Sequence, residues 1–187
     1  MIKAIVIGAS FGGMNAIRKL LSMLPEGFNL PVAVVLHIGS NNISSYLSQL
    51  DNNLPVKVKE AEEKEEIKPG QVYFAPANYH LQIEKNKTFS LSTDEKVNYS
   101  RPSIDVLFET AAWTYKDELL GIVLTGSNSD GARGLEIIKK YGGTTIVQNP
   151  VNAQAKQMPE YAIRRCTPDY ILDLEDISQK IIALSNN

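Results

Sequence analysis

The chain opens on an apolar run, Ile2-Lys3-Ala4-Ile5-Val6-Ile7, that ends abruptly in Gly8-Ala9-Ser10-Phe11-Gly12-Gly13. Met14, Ile17, Leu20 and Leu21 then recur at the spacing of one helix face. A buried strand, a tight turn and a helix are therefore set before any other part of the chain is read. Gly-x-Ser-x-Gly at such a turn exposes a hydroxyl at the carboxyl end of a sheet, as the nucleophile of a serine hydrolase requires. The helix that follows aims the positive end of its dipole at the same point. The flanking glycines let the backbone turn sharply and leave room for a substrate.

The same turn is one residue away from the Gly-x-Gly-x-x-Gly of dinucleotide-binding proteins. Ser10 replaces the glycine that lets the backbone approach a pyrophosphate. Such proteins carry an acid for the ribose at the end of the next strand. Here Pro31-Val32-Ala33-Val34-Val35-Leu36 ends in His37, a base. Acyl chemistry is the preferred reading of the turn.

The rest of the chain continues the alternation. Strands are expected at 3–7, 32–37, 71–75, 119–125, 144–148 and 170–172, and helices at 14–22, 43–51, 104–115, 132–141, 159–165 and 177–184. Short apolar strands separated by helices predict an α/β fold, a doubly wound, mainly parallel sheet with helices on both faces. Segments 80–84 and 88–91, around Lys85-Asn86-Lys87, read as a β-hairpin inserted into that order. The run Glu60-Ala61-Glu62-Glu63-Lys64-Glu65-Glu66 reads as a solvated loop or helix face. With no internal repeat and no Pro/Ser-rich linker, the 187 residues are expected to form a single domain.

Composition excludes more than it assigns. An apolar fraction of 43% and a charged fraction of 21% are those of a soluble globular protein. A net charge of −2 leaves no basic face for nonspecific nucleic-acid binding. The single Cys166 cannot form an intramolecular disulfide and has no metal-ligand cluster around it, so neither metal nor organic cofactor is expected. The first strand starts within three residues of Met1 and no apolar run approaches a membrane span. A cytoplasmic location without membrane insertion is the expectation.

A serine hydroxyl is a weak nucleophile and needs a base within hydrogen-bond reach. The chain has two histidines, His37 and His80. His37 ends the second strand, and neighbouring strand ends of a parallel sheet lie on the same side, so His37 is the preferred base. His80, at the start of the hairpin, is expected to lie away from Ser10. A carboxylate should hold the histidine tautomer. Asp130 stands where the loop Thr125-Gly126-Ser127-Asn128-Ser129 becomes a helix. Local pattern favours reading it as that helix's cap; a cap would face its own helix, whereas a triad member would face His37. Backbone N–H groups of that loop and of the turn at Gly12-Gly13 are placed to stabilise an oxyanion, with Ser127 and Gly12 as the candidate donors. The order Ser10, His37, Asp130 is not that of the α/β-hydrolases.

Five blocks occur in sequence: Ile7-Gly8-Ala9-Ser10-Phe11-Gly12-Gly13, Pro69-Gly70-Gln71-Val72-Tyr73-Phe74-Ala75-Pro76, Arg101-Pro102-Ser103-Ile104-Asp105-Val106-Leu107-Phe108, Leu124-Thr125-Gly126-Ser127-Asn128-Ser129-Asp130-Gly131-Ala132 and Gln157-Met158-Pro159. Together they resemble the catalytic domain of the CheB-type chemotaxis receptor methylesterases, over nearly the whole chain. The resemblance implies hydrolysis of glutamate γ-methyl esters on the cytoplasmic helices of chemoreceptors, with glutamine deamidation as a second activity. It implies Ser10 as nucleophile, His37 as base and Asp130 as orienting carboxylate, which favours the triad over the cap. It also implies residues 1–187 as one methylesterase catalytic domain without the receiver domain that many members carry, and control by a separate phosphorylated regulator as one partner relation. Arg18, Arg101 and Arg133 are candidates to meet an acidic receptor face. The chain departs from the family at Ser127-Asn128, usually Met-Gly, and at Phe11, usually a small residue. These departures support an alternative, a catalytically weak binding or regulatory module of the same fold.

Overall fold

The computed structural model describes residues 1–38 and 43–185. Seven strands form one parallel sheet: β1 (Ala4–Ala9), β2 (Val32–Leu36), β3 (Lys57–Glu60), β4 (Gln71–Phe74), β7 (Leu119–Val123), β8 (Thr144–Gln148) and β9 (Tyr170–Leu172). Their order across the sheet is β3-β4-β2-β1-β7-β8-β9, every neighbouring pair parallel. The remaining two, β5 (His80–Ile83) and β6 (Phe89–Ser92), pair antiparallel as the separate hairpin.

All residues of β1, β2 and β7 are buried, as expected of central parallel strands covered on both faces. Successive side chains of β1 serve different cores. Ile5, Ile7 and Ala9 pack with helices α1 (Gly13–Ser22), α2 (Ser44–Asn53) and α6 (Leu174–Ser185). Ala4 and Val6 pack with α3 (Ile104–Tyr115), α4 (Ala132–Lys140), α5 (Gln157–Cys166) and the hairpin residues Leu81, Ile83 and Phe89. The doubly wound reading holds, and the strand order reverses direction at β1, where ligands of such sheets bind.

One element is new, and the acidic run takes the loop form of its expected alternatives. Lys57–Glu60 is an edge strand, not recognised in the sequence, with Val58 as its one buried residue. The acidic run after it is a loop that ties the sheet to the hairpin. The Lys64 N–H donates to the Phe89 carbonyl at 2.9 Å, and the Phe89 N–H donates to the Glu65 carbonyl at 2.9 Å. Lys59 Nζ is held between Glu62 and Glu65 at 2.7 and 2.8 Å.

The two glycines flanking Ser10 divide the work between them. Gly12 takes the left-handed backbone of the turn, φ 81°, which a side chain would strain. Gly8 stays within the strand, and a Cβ there would collide with Ile104. Gly131 meets the same Ile104 methyl, so the first residue of α3 wedges between β1 and the start of α4. That packing sets the N-terminus of α3 beside the strand carrying Ser10.

Candidate active site

Main-chain bonds carry the sheet pairing past the strand ends and fix the site. The His37 N–H donates to the Ala9 carbonyl at 3.0 Å, and the Ser10 N–H donates to the Thr125 carbonyl at 2.9 Å. Ser10 and His37 thus occupy adjacent positions on neighbouring strands, which lie about 4.8 Å apart. The Gly13 N–H closes the turn onto the Ser10 carbonyl at 2.7 Å. Both side chains line one cleft of about 350 Å³ at the carboxyl edge of the sheet, together with Phe11, Gly12 and Gln154.

Asp130 is fully buried and accepts five hydrogen bonds. His37 Nε2 donates to Oδ2 at 2.9 Å, beside the Ile104 N–H at 2.7 Å. Oδ1 receives Ser103 Oγ at 2.8 Å, the Asp105 N–H at 3.1 Å and Asn98 Nδ2 at 3.1 Å. Burial works to raise its pKa, but the His37 ring and the Ile104 and Asp105 N–H groups outweigh it, and the carboxyl lies below the usual aspartate range. The cap reading is overturned by direction. Asp130 faces His37 and the N-terminus of α3, while the start of its own helix is served by Asp105, whose Oδ1 accepts the Gly131 and Gly134 N–H groups at 3.0 and 2.7 Å. The two helices exchange carboxylates. Burial and the Asp130 charge push Asp105 the other way, above the usual range.

His37 Nδ1 does not bond to Ser10. It faces Asn128 Nδ2 at 3.2 Å, and among the described residues the Ser10 hydroxyl makes no hydrogen bond. Gly126 runs close past Ser10, since a Cβ on it would lie 3.0 Å from Ser10 Cβ. The Gly126 N–H is consumed by the Ala155 carbonyl at 3.1 Å. The Ser127 and Gly12 N–H groups have no acceptor among the described residues. Thr125 and Gln148, assigned no role from sequence, hold this loop. Gln148 Oε1 accepts the Thr125 N–H at 2.9 Å, and Thr125 Oγ1 accepts the Ala155 N–H at 2.8 Å and donates to the Phe11 carbonyl at 2.9 Å.

His80 belongs to a different network. Its Nδ1 accepts the Ser103 N–H at 3.2 Å and its Nε2 donates to the Glu95 carbonyl at 3.0 Å. Both ring nitrogens serve main chain. Ser103 lies near His80 and Asp130, yet it is fully buried and its hydroxyl donates to Asp130, so no substrate reaches it. Phe11 is 59% exposed and stands on the rim of the cleft, next to a trough of about 780 Å³ that Ser127, Val151 and Gln154 also line. Of the three arginines, Arg133 pairs with Glu109 and Arg101 donates to the Thr93 and Asp94 carbonyls, while Arg18 is exposed. Among the described residues no cluster of His, Cys, Asp or Glu could hold a metal ion, and no helix is long and apolar enough to cross a membrane.

A doubly wound parallel domain that gathers a serine, a histidine and a buried aspartate at its switch point is a hydrolase architecture, and its relatives specify which. The family model described as CheB methylesterase matches residues 5–181, and the chain belongs to that family. A protein-glutamate methylesterase/protein-glutamine glutaminase of Leptospira interrogans is 53% identical over 185 residues, covering 99% of this chain and 96% of the relative. The protein of that name from Thermotoga maritima is 36% identical, covering 97% of this chain but 54% of the relative. The crystal structure of the Thermotoga maritima CheB methylesterase catalytic domain superposes with a TM-score of 0.93 at 36% identity, covering 98% of this chain and 99% of that one.

Proposed function

We propose that the chain removes methyl groups from glutamate γ-methyl esters on the cytoplasmic helices of chemoreceptors, with Ser10, His37 and Asp130 as its triad. The observation that carries this reading is the 2.9 Å bond from His37 Nε2 to the buried Asp130, at a strand end adjacent to Ser10. Family membership supplies the substrate class. Ser10 Oγ attacks the ester carbonyl while His37 Nδ1, the nitrogen not held by Asp130, takes its proton. The negative oxygen of the tetrahedral intermediate is stabilised by the Ser127 and Gly12 N–H groups, which have no acceptor among the described residues. The C–OCH₃ bond then breaks, and His37 returns the proton so that methanol leaves. Water, deprotonated by the same nitrogen, attacks the acyl-Ser10 carbonyl, and His37 then returns that proton to the departing Ser10 Oγ as the glutamate carboxyl group is released. With glutamine the same steps release ammonia, which accounts for a deamidase activity.

The test is methanol release from a receptor-derived peptide bearing a glutamate γ-methyl ester. Ser10→Ala and His37→Ala should each lower kcat on the order of a thousandfold, and the double variant little further, because the residues act as a unit. Additive losses would show that they share no mechanism. The missing Ser10–His37 bond favours one second reading, a module of weak catalysis that binds receptors. Labelling by a fluorophosphonate that requires both Ser10 and His37 excludes it; an unlabelled chain that still binds receptor peptides establishes it.

A further inference from the structure

Asn128 stands where the family usually has glycine, and its backbone does not explain it, since its φ is not in the left-handed region. Its side chain does something specific. Oδ1 accepts the Asp130 N–H at 3.1 Å, which fixes the carboxamide and leaves Nδ2 facing His37 Nδ1 at 3.2 Å. An amide nitrogen only donates, so Nδ1 is the bare ring nitrogen. The opposite ring nitrogen meets a carboxylate already receiving four other donors, so Nε2 carries the proton. Asp130 alone is sufficient to set that tautomer. What Asn128 adds is occupancy: the lone pair needed by Ser10 is hydrogen-bonded to an amide.

We propose that Asn128 is a positioning residue acting through His37, a brake that caps the base nitrogen of the resting site and swings aside whenever Ser10 transfers its proton. The proposal rests on the triad reading above. Once Nδ1 accepts the serine proton, two donors face each other, so the Nδ1–Nδ2 hydrogen bond is lost in every turnover. One neutral hydrogen bond corresponds to roughly a three- to tenfold effect on rate. It should fall on kcat, because the amide meets the ring and not the ester.

Two substitutions separate this from a structural role. Asn128→Gly, the usual family residue, should raise kcat for the γ-methyl ester peptide by about three- to tenfold with KM little changed. Asn128→Asp keeps the acceptor for the Asp130 N–H but turns an acceptor toward Nδ1, holding a proton there between two carboxylates. Lys96 and Arg101, on the wall of the adjoining hollow beside His37, are the other charges near the ring. In that variant kcat should fall by at least about tenfold, the hydrogen bond to charge being the stronger kind. The imidazole ¹⁵N spectrum reads the same contact without turnover. Wild type should show a bare, hydrogen-bonded Nδ1, the Gly variant a bare Nδ1 without that bond, and the Asp variant a ring protonated on both nitrogens. Equal losses in both variants, or a proton on Nδ1 in wild type, overturn the brake. Hydrolysis that survives Ser10→Ala overturns the triad and the brake with it, whereas hydrolysis lost in Ser10→Ala with no gain in Asn128→Gly removes the brake alone.

Discussion

Asp130 and Asp105 share one amide, since Asn98 Nδ2 donates to both, at 3.1 and 2.9 Å, yet their surroundings pull them apart. Asp130 is held below its ordinary value of 3.8 and Asp105 above it, so Asp130 is the carboxylate that ionises first. The stability linked to Asp130 is fully present above that ordinary value and is lost as pH falls through the lower folded value. Asp105 works in the opposite sense, its contribution present below the ordinary value and lost as pH rises through its higher one. Asp130→Asn should therefore lose stability less steeply on acidification than wild type, in urea titrations run from about pH 5 down to about pH 2. A wild-type acid limb no steeper than that of the variant would contradict the assignment. Ser10 could be singled out from its motif and His37 from its strand end, whereas the loop of Asp130 alone pointed to a helix cap and only the family resemblance pointed to His37. Asn98, Ser103 and Asp105 could not be singled out, because hydrogen bonds spanning 26 to 32 residues leave no periodic trace in a sequence. Asn128 was visible only as a departure, and what it touches was not.

At the scale of elements, the site depends on how α3 and α4 meet. Each helix has its exposed N–H groups satisfied by an aspartate that the other's segment supplies. The arrangement needs close approach, and Gly134 provides it. A Cβ there would lie 2.5 Å from Phe108 Cβ and within 3.2 Å of the Asp105 backbone, which cannot yield as a flexible side chain would. Gly134→Ala should cost about 1–3 kcal/mol of stability by overpacking, measured by urea unfolding. It should also lower esterase activity, because Asp105 and the N–H groups around Asp130 shift together. Full stability in that variant would mean that the helices part without strain. Central strands were easy to read because both of their faces are apolar. β3 was not, since Lys57-Val58-Lys59-Glu60 turns only Val58 inward. Its strand character comes from register against β4, from Lys57 beside Gln71 to Glu60 beside Phe74. Charged side chains at a sheet edge also discourage pairing with another chain.

Over the whole molecule, the two cores meet at β1 and β7, whose residues are all buried. Hydrogen exchange should be slowest in these strands and fastest in β9 and β6, where most residues are partly accessible. Early exchange of β1 would place the nucleophile strand in a less cooperative region than its burial implies. The cleft opens at the sheet edge, with Phe11 exposed on its rim and Ser127 exposed in the adjoining trough. The 187-residue chain should therefore hydrolyse methylated receptor peptides with no phosphodonor present; dependence on an added phosphorylated protein would assign control to that partner.

The position of β1 between β2 and β7 has a consequence for how the protein is made. Ser10 and His37 are translated well before the strand that flanks β1 on its other side, the loop that lies against Ser10 and the aspartate that holds His37. A nascent chain that stops short of Asp130 carries Ser10 and His37 without the carboxylate that holds the ring. The site is thus completed only after β7 and the loop that follows it have been made.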